Sequence, residues 1–323
     1  MLSPIRLIPE FTHYGPGYSD LLEAAGRDIS GLAATRATTK LPQIAFDADG
    51  VLQLFSITKT KAHLKFYQDG DRGRRPQGAA LQHIMEIPGM LSLVTGLRSA
   101  LPPPILVSSM PLSRGLAIFN AFPTWKTAFL GLDPGQPVIR RTLRESPHVF
   151  FAEDLARGMQ VLNEVKKGER SIEDFPDHWH KEIKLAIRFL PRAHIGTNKL
   201  PVVVALSKPG APKPDLMIDD SVGVAQALLD FSPSARVVRP EVPWPVRRCF
   251  FPDPIGPLHT HFDHQALVMA EALGNTFTSP TSQLIRVPRR PASRFENASE
   301  AATILDYREN GSVLVREYYG LSW

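Results

Sequence analysis

Residues 42–55, PQIAFDADGVLQLF, run from Ile44, Ala45 and Phe46 straight into Asp47 and Asp49, two carboxylates one residue apart. A short apolar run bounded by turn residues reads as a buried strand. Two like charges at its end need a reason. Asp49-Gly50 taken alone suits a solvent-exposed turn. The other reading is a strand tip that holds a cation.

The same grammar recurs along the chain. PILVSSMP (104–111) is an apolar run ending in Ser108 and Ser109, and PDLMIDDSVGVAQALLD (214–230) ends its apolar part in Asp219 and Asp220. LPVVVALSKPG (200–210) reads as another buried strand. Between these runs lie helical patterns. Met90, Leu91, Leu93, Val94, Leu97 and Leu101 recur at near-helical spacing, bounded by Pro88 and by Pro102–Pro104, and SRGLAIFNAF (113–122) reads as the next helix. Alternating strands and helices predict an α/β fold with a doubly wound parallel sheet. In such sheets ligands bind beyond the carboxyl ends of the strands, which is where Asp47, Asp49, Ser108, Asp219 and Asp220 fall.

Around this core, residues 41–132 and 200–275, the remaining segments look different. Residues 1–40 read as an N-terminal arm with a short helix starting near Ser19 or Asp20. Residues 133–199 are charged and helical and read as an inserted cap. Residues 276–323 read as a C-terminal extension, with a β-hairpin centred on Asn310-Gly311.

The 323 residues are enough for one large domain or two ordinary ones. A single cysteine, Cys249, excludes an internal disulfide, and no run is long enough to span a bilayer. A soluble cytoplasmic protein is therefore expected. The formal charge of +5 is a mild bias towards anionic partners. The 30 prolines are spread along the chain and predict many rigid loops.

FDADGVL, ILVSS and SKPGAPKPDLMIDDS, in this order, resemble the haloacid dehalogenase-like superfamily of phosphohydrolases. The resemblance implies that Asp47 attacks phosphorus to form an aspartyl-phosphate and that Asp49 protonates the leaving group and then activates water. It implies that Ser108, with Ser109 as fallback, binds the phosphoryl group. It also implies that Asp47, Asp49, Asp219 and Asp220 hold Mg²⁺. A lysine should offset the charge of nucleophile and phosphate; spacing before the acidic pair favours Lys208 over Lys213, with Lys199 lying further back. Inserts after the first or second motif form caps in this family. The implied activity is a Mg²⁺-dependent phosphatase acting on a phosphorylated small molecule or nucleotide, or on a phosphorylated nucleic-acid end. The alternatives are phosphoryl transfer to another acceptor and a non-catalytic binding protein on the same fold.

Single pieces have plainer readings. Ser108 alone is a strand-end hydroxyl, and Asp219-Asp220 alone would cap the following helix. HTHFDH (His259, His261, Asp263, His264) has zinc-type ligands, but only 59 residues follow it, and residues 262–274 read as a helix, so no zinc is expected. His178 and His180 read as surface residues. Lys59, Lys61, Lys65, Arg72, Arg74 and Arg75 read either as a solvated loop or as an electropositive rim for polyanionic substrates.

Overall fold

The computed structural model describes residues 5–7, 17–58, 81–87, 89–189, 197–232, 234–240, 248–249, 265–278 and 284–287. In chain order the strands are β1 (Ile5–Leu7), β2 (Ile44–Phe46), β3 (Gln53–Thr58), β4 (Leu81–Glu86), β5 (Ile105–Val107), β6 (Val149–Phe150), β7 (Leu216–Ile218), β8 (Arg236–Pro240), β9 (Arg248–Cys249) and β10 (Leu284–Val287). The helices are α1 (Tyr18–Arg36), α2 (Met90–Leu97), α3 (Leu112–Ala121), α4 (Arg140–Glu145), α5 (Ala152–Lys167), α6 (Asp177–Phe189), α7 (Pro201–Ser207), α8 (Val222–Phe231) and α9 (Gln265–Thr278).

Six strands form one sheet in the order β10-β8-β7-β2-β5-β6, and every pairing in it is parallel. Both faces are covered, as a parallel sheet requires. On one face Ile44, Phe46, Leu106, Leu216, Ile218 and Val238 pack with residues of α1, α2, α3 and α9. On the other, Ala45, Ile105, Val107, Phe150, Met217 and Val237 pack with residues of α5 to α8. The strand triplets are therefore apolar throughout, and the α/β reading holds.

The order of connections decides where a ligand fits. From β2 the chain winds outward through β5 to β6, then returns to the other side of β2 and winds outward through β7, β8 and β10. The winding reverses between β2 and β7. In parallel sheets ligands bind beyond the carboxyl ends of the strands at such a reversal. Phe46 pairs with Ile218 of β7 and with Leu106 of β5, so Asp47, Ser108 and Asp219 leave the sheet side by side.

A second, smaller sheet in the order β1-β4-β3-β9 grows from the turn after β2. Its hairpin β3–β4 is antiparallel, with Gln53 opposite Glu86. The Ile87 N–H donates to the Leu52 carbonyl at 2.8 Å, so the hairpin returns close to where it left.

Four segments differ from the sequence expectations. The run at 200–210 is not a strand but the helix α7, with Pro201 in its first turn. Pro there has no N–H to lose, and the helix is buried, so its apolar residues show no periodicity. Gly158 of α5 allows the close crossing; a Cβ on it would lie 2.3 Å from the Val203 carbonyl oxygen.

Residues 133–199 supply β6, which pairs with β5, and the layer helices α5 and α6, so this segment is part of the sheet's own architecture. The N-terminal segment holds a 19-residue helix, α1, with Leu22, Ile29 and Ala33 in the main core. Within residues 276–323, β10 extends the sheet beside β8.

Candidate active site

Each functional candidate sits just past the end of a buried strand. Asp47 follows β2, Ser108 follows β5, and Asp219 and Asp220 follow β7. The backbone continues the sheet pattern by one residue: the Asp47 N–H donates to the Ile218 carbonyl at 2.8 Å, and the Ser108 N–H to the Phe150 carbonyl at 3.0 Å. The side chains are thus fixed by strand geometry and point away from the sheet edge.

Asp47, Asp219 and Asp220 are all buried, and each offers a carboxylate oxygen within 4.8 Å of the others. A buried cation, Lys199, lies between two of them. Lys199 Nζ is 2.8 Å from Asp47 Oδ2 and 2.8 Å from Asp219 Oδ2. The second oxygens of both carboxylates are also held: the Ala48 N–H donates to Asp47 Oδ1 at 2.7 Å, and the Ser221 N–H to Asp219 Oδ1 at 2.9 Å.

Buried carboxylates crowded this closely are costly in a poorly solvated place, and Lys199 offsets Asp47 and Asp219. The titration behaviour follows. Burial pushes the Asp47 carboxyl up to about 7; Lys199 pulls against this, while Asp219 and Asp49 add to it. Burial alone would depress the Lys199 ammonium, but Asp219 and Asp47 more than reverse that and hold it above the usual lysine range. A hard divalent cation fits this donor set of close, buried carboxylate oxygens.

The turn after β2 is shaped around this cluster. Gly50 has φ +84, and its N–H donates to the Gln53 carbonyl at 2.8 Å. A Cβ at Gly50 would lie 2.1 Å from Asp220 Oδ2. Gly50→Ala should therefore strain the backbone by about 1–3 kcal/mol and push Asp220 off its place. Displacing a carboxylate of the cluster in this way should weaken binding of a divalent cation there by about 10–100-fold, the range for disturbed ligand orientation. Thermal melts and calorimetric Mg²⁺ titration check this, and unchanged values of both would refute it.

Asp49 is oriented differently from the sequence expectation of a fourth metal ligand. Its Oδ1 accepts from Arg114 Nη2 at 2.9 Å and from Gln53 Nε2 at 2.9 Å, and it lies outside the carboxylate cluster. Asp49 is partly exposed, at the mouth of the site. Ser108 is buried, and the Met110 N–H donates to its Oγ at 3.2 Å; Ser109 beside it is exposed. Neither Asp219 nor Asp220 caps α8: Ser221 stands at the N-cap, and its side chain makes no cap bond.

The lysine assignment is corrected. Lys208 lies at the far end of α7, where its Nζ donates to the carbonyls of Leu143, Ser146 and Val149 and stands 3.2 Å from Asp154 Oδ2. These contacts place Lys208 beside β6, the end strand of the sheet, and not at the Asp47–Asp219 cluster. Had 200–210 been a strand running towards the site, its end would have delivered Lys208 there. As a helix it leads away to β6, and Lys199, in a 3-10 turn just before Pro201, is the lysine beside Asp47 and Asp219. Lys213 pairs with Glu182 at 2.7 Å and is also elsewhere.

His180 has Nε2 2.9 Å from the Phe175 carbonyl, a local contact of α6. His259, His261, Asp263 and His264, the basic residues Lys59, Lys61, Lys65, Arg72, Arg74 and Arg75, and the Asn310-Gly311 hairpin lie outside the described residues. Among the described residues no helix is long and apolar enough to cross a membrane. Comparison with protein-family models, with curated proteins and with solved structures gave no match.

Proposed function

We propose that the chain is a Mg²⁺-dependent phosphohydrolase that works through an aspartyl-phosphate on Asp47. The observation that carries this reading is the buried Asp47–Lys199–Asp219 bridge, with Asp220 beside it, at the reversal point of a parallel sheet. Mg²⁺ held by Asp47, Asp219 and Asp220 would supply charge neutralisation to the phosphoryl oxygens.

The protein's own groups divide the reaction into two steps. In the first, an Asp47 oxygen forms a bond to phosphorus as the bond to the leaving oxygen breaks, and Asp49 gives that oxygen a proton. In the second, Asp49 takes a proton from water as its oxygen attacks phosphorus, and the acyl-phosphate bond breaks. Lys199 offsets the Asp47 charge as the anionic phosphate approaches, and Ser108 gives a hydroxyl donor beside it. The substrate class that fits is a phosphorylated small molecule or nucleotide.

The test is turnover of an aryl phosphate with Mg²⁺ and after chelation. Activity that disappears with chelation and returns with Mg²⁺ supports the reading. A folded protein that binds Mg²⁺ and turns over no member of a panel of metabolites, nucleotides and oligonucleotide ends is a binding protein. Product analysis with added alcohols separates hydrolysis from transfer to another acceptor.

A further inference from the structure

We propose that Arg114, together with Gln53, is a positioning pair for Asp49, fixing its carboxylate so that Oδ2 faces the leaving group. This rests on the phosphohydrolase reading and assigns a role to residues that the motifs did not mark.

The geometry is one-sided. Both donors fall on Oδ1: Arg114 Nη2 at 2.9 Å and Gln53 Nε2 at 2.9 Å. Among the described residues no hydrogen bond is recorded to Oδ2. A carboxylate held by one oxygen from two directions cannot turn freely about its Cβ–Cγ bond, so its other oxygen has a fixed direction. Proton transfer needs that, because it works only within hydrogen-bond reach of the reacting oxygen.

The donors are themselves rigid. Gln53 is fully buried, and its N–H donates to the Ala48 carbonyl at 2.9 Å. Arg114 has an 11% exposed side chain on the first turn of α3, the helix launched just after Ser108. That turn is pinned by Glu153, whose Oε1 and Oε2 accept from the Leu112 N–H at 3.2 and 3.0 Å. Gly115 lets the same turn press on Phe151; a Cβ there would lie 2.2 Å from the ring. The guanidinium is planar and always charged, so it holds the carboxylate in every protonation state of its surroundings.

The experiment compares Arg114→Met and Arg114→Lys with the wild type on two monoesters, 4-nitrophenyl phosphate and a simple alkyl phosphate. The ratio kcat/KM reports steps up to departure of the alcohol. A nitrophenolate leaves without a proton, and an alkoxide does not. Full loss of a general acid costs about 10²–10⁴-fold, and loss of its alignment should cost part of that. Arg114→Met should therefore lower kcat/KM by about 10–100-fold for the alkyl ester and by no more than about threefold for the aryl ester. For the aryl ester kcat and KM should fall together, because the aspartyl-phosphate accumulates when Asp49 no longer takes a proton from water. Arg114→Lys, which keeps a donor, should recover much of the alkyl activity.

Equal losses on both esters, or a rise in KM with kcat intact, would overturn the proposal and make Arg114 a structural or a phosphate-binding residue. Unchanged kinetics would overturn it too. A wild-type protein that turns over neither ester removes the phosphohydrolase reading and the role of Arg114 with it; wild-type activity with the wrong pattern removes only the latter.

Discussion

Asp47→Asn should give a folded protein without measurable phosphatase turnover. The amide keeps the size of the side chain and the oxygen that accepts from the Ala48 N–H. It also removes a negative charge from a cluster in which burial already disfavours that charge, so the melting temperature should not fall. What is lost, on the proposed mechanism, is the nucleophile. One general acid–base group is worth about 10²–10⁴-fold, and loss of the atom that bonds to phosphorus should cost at least as much. The direct check traps the intermediate with radiolabelled substrate or beryllium fluoride and maps the modified residue. Label on Ser108 or on a histidine, or full activity in Asp47→Asn, would sink the aspartyl-phosphate mechanism. Asp49→Asn should retain slow labelling of Asp47 from an aryl ester, since a nitrophenolate needs no proton to leave.

The strands that carry the site were legible because each is an apolar triplet ending in a polar residue at the same edge. Ile44–Phe46, Ile105–Val107 and Leu216–Ile218 lie side by side, buried on both faces. That is why the runs look continuous instead of alternating. The same property hid α7. A run of valines buried on all sides reads equally as strand or helix, and the proline before it, which marks the first turn of a helix, was the signal that could have decided it. A strand over 200–207 would have ended in Lys208 at the site; the helix instead leaves Lys199, ahead of it, beside Asp47 and Asp219.

Strand β6 was missed for a different reason. Val149–Phe150 is two residues long and lies between charged helices, too short for any period to register. Helix α1 has weak periodicity because part of its buried face is small: a Cβ on Gly26 would lie 2.4 Å from the Leu93 carbonyl oxygen. Arg114 and Gln53 carry no motif. Arg114 could have been found by asking which long polar side chains stand on the first turn of a helix that follows a site strand.

Lys199→Met should be the most damaging single change to stability in the site, and it should be reversible by a cation. Lys199 is the buried ammonium between Asp47 and Asp219, 2.8 Å from each. Removing one partner of a buried pair leaves the other charges uncompensated and costs about 3–5 kcal/mol. That is a large share of the 5–15 kcal/mol by which a domain is typically stable. The deficit is one of positive charge at a place where a divalent cation fits, so millimolar Mg²⁺ should raise the melting temperature of Lys199→Met more than that of the wild type. Lys208→Met breaks a pair of similar burial with Asp154, beside β6 and away from the Asp47–Asp219 cluster. It should also melt lower, but with no extra recovery in Mg²⁺, and its activity per folded molecule should remain. Lys199→Met should stay nearly inactive even when Mg²⁺ has restored its fold, because the ammonium that bridges Asp47 and Asp219 is then missing as the anionic phosphate approaches Asp47. Thermal melts with chelator and with Mg²⁺, paired with activity per folded molecule, separate the two lysines. A Lys199→Met protein with wild-type turnover, or a folded but inactive Lys208→Met, would return the catalytic role to Lys208.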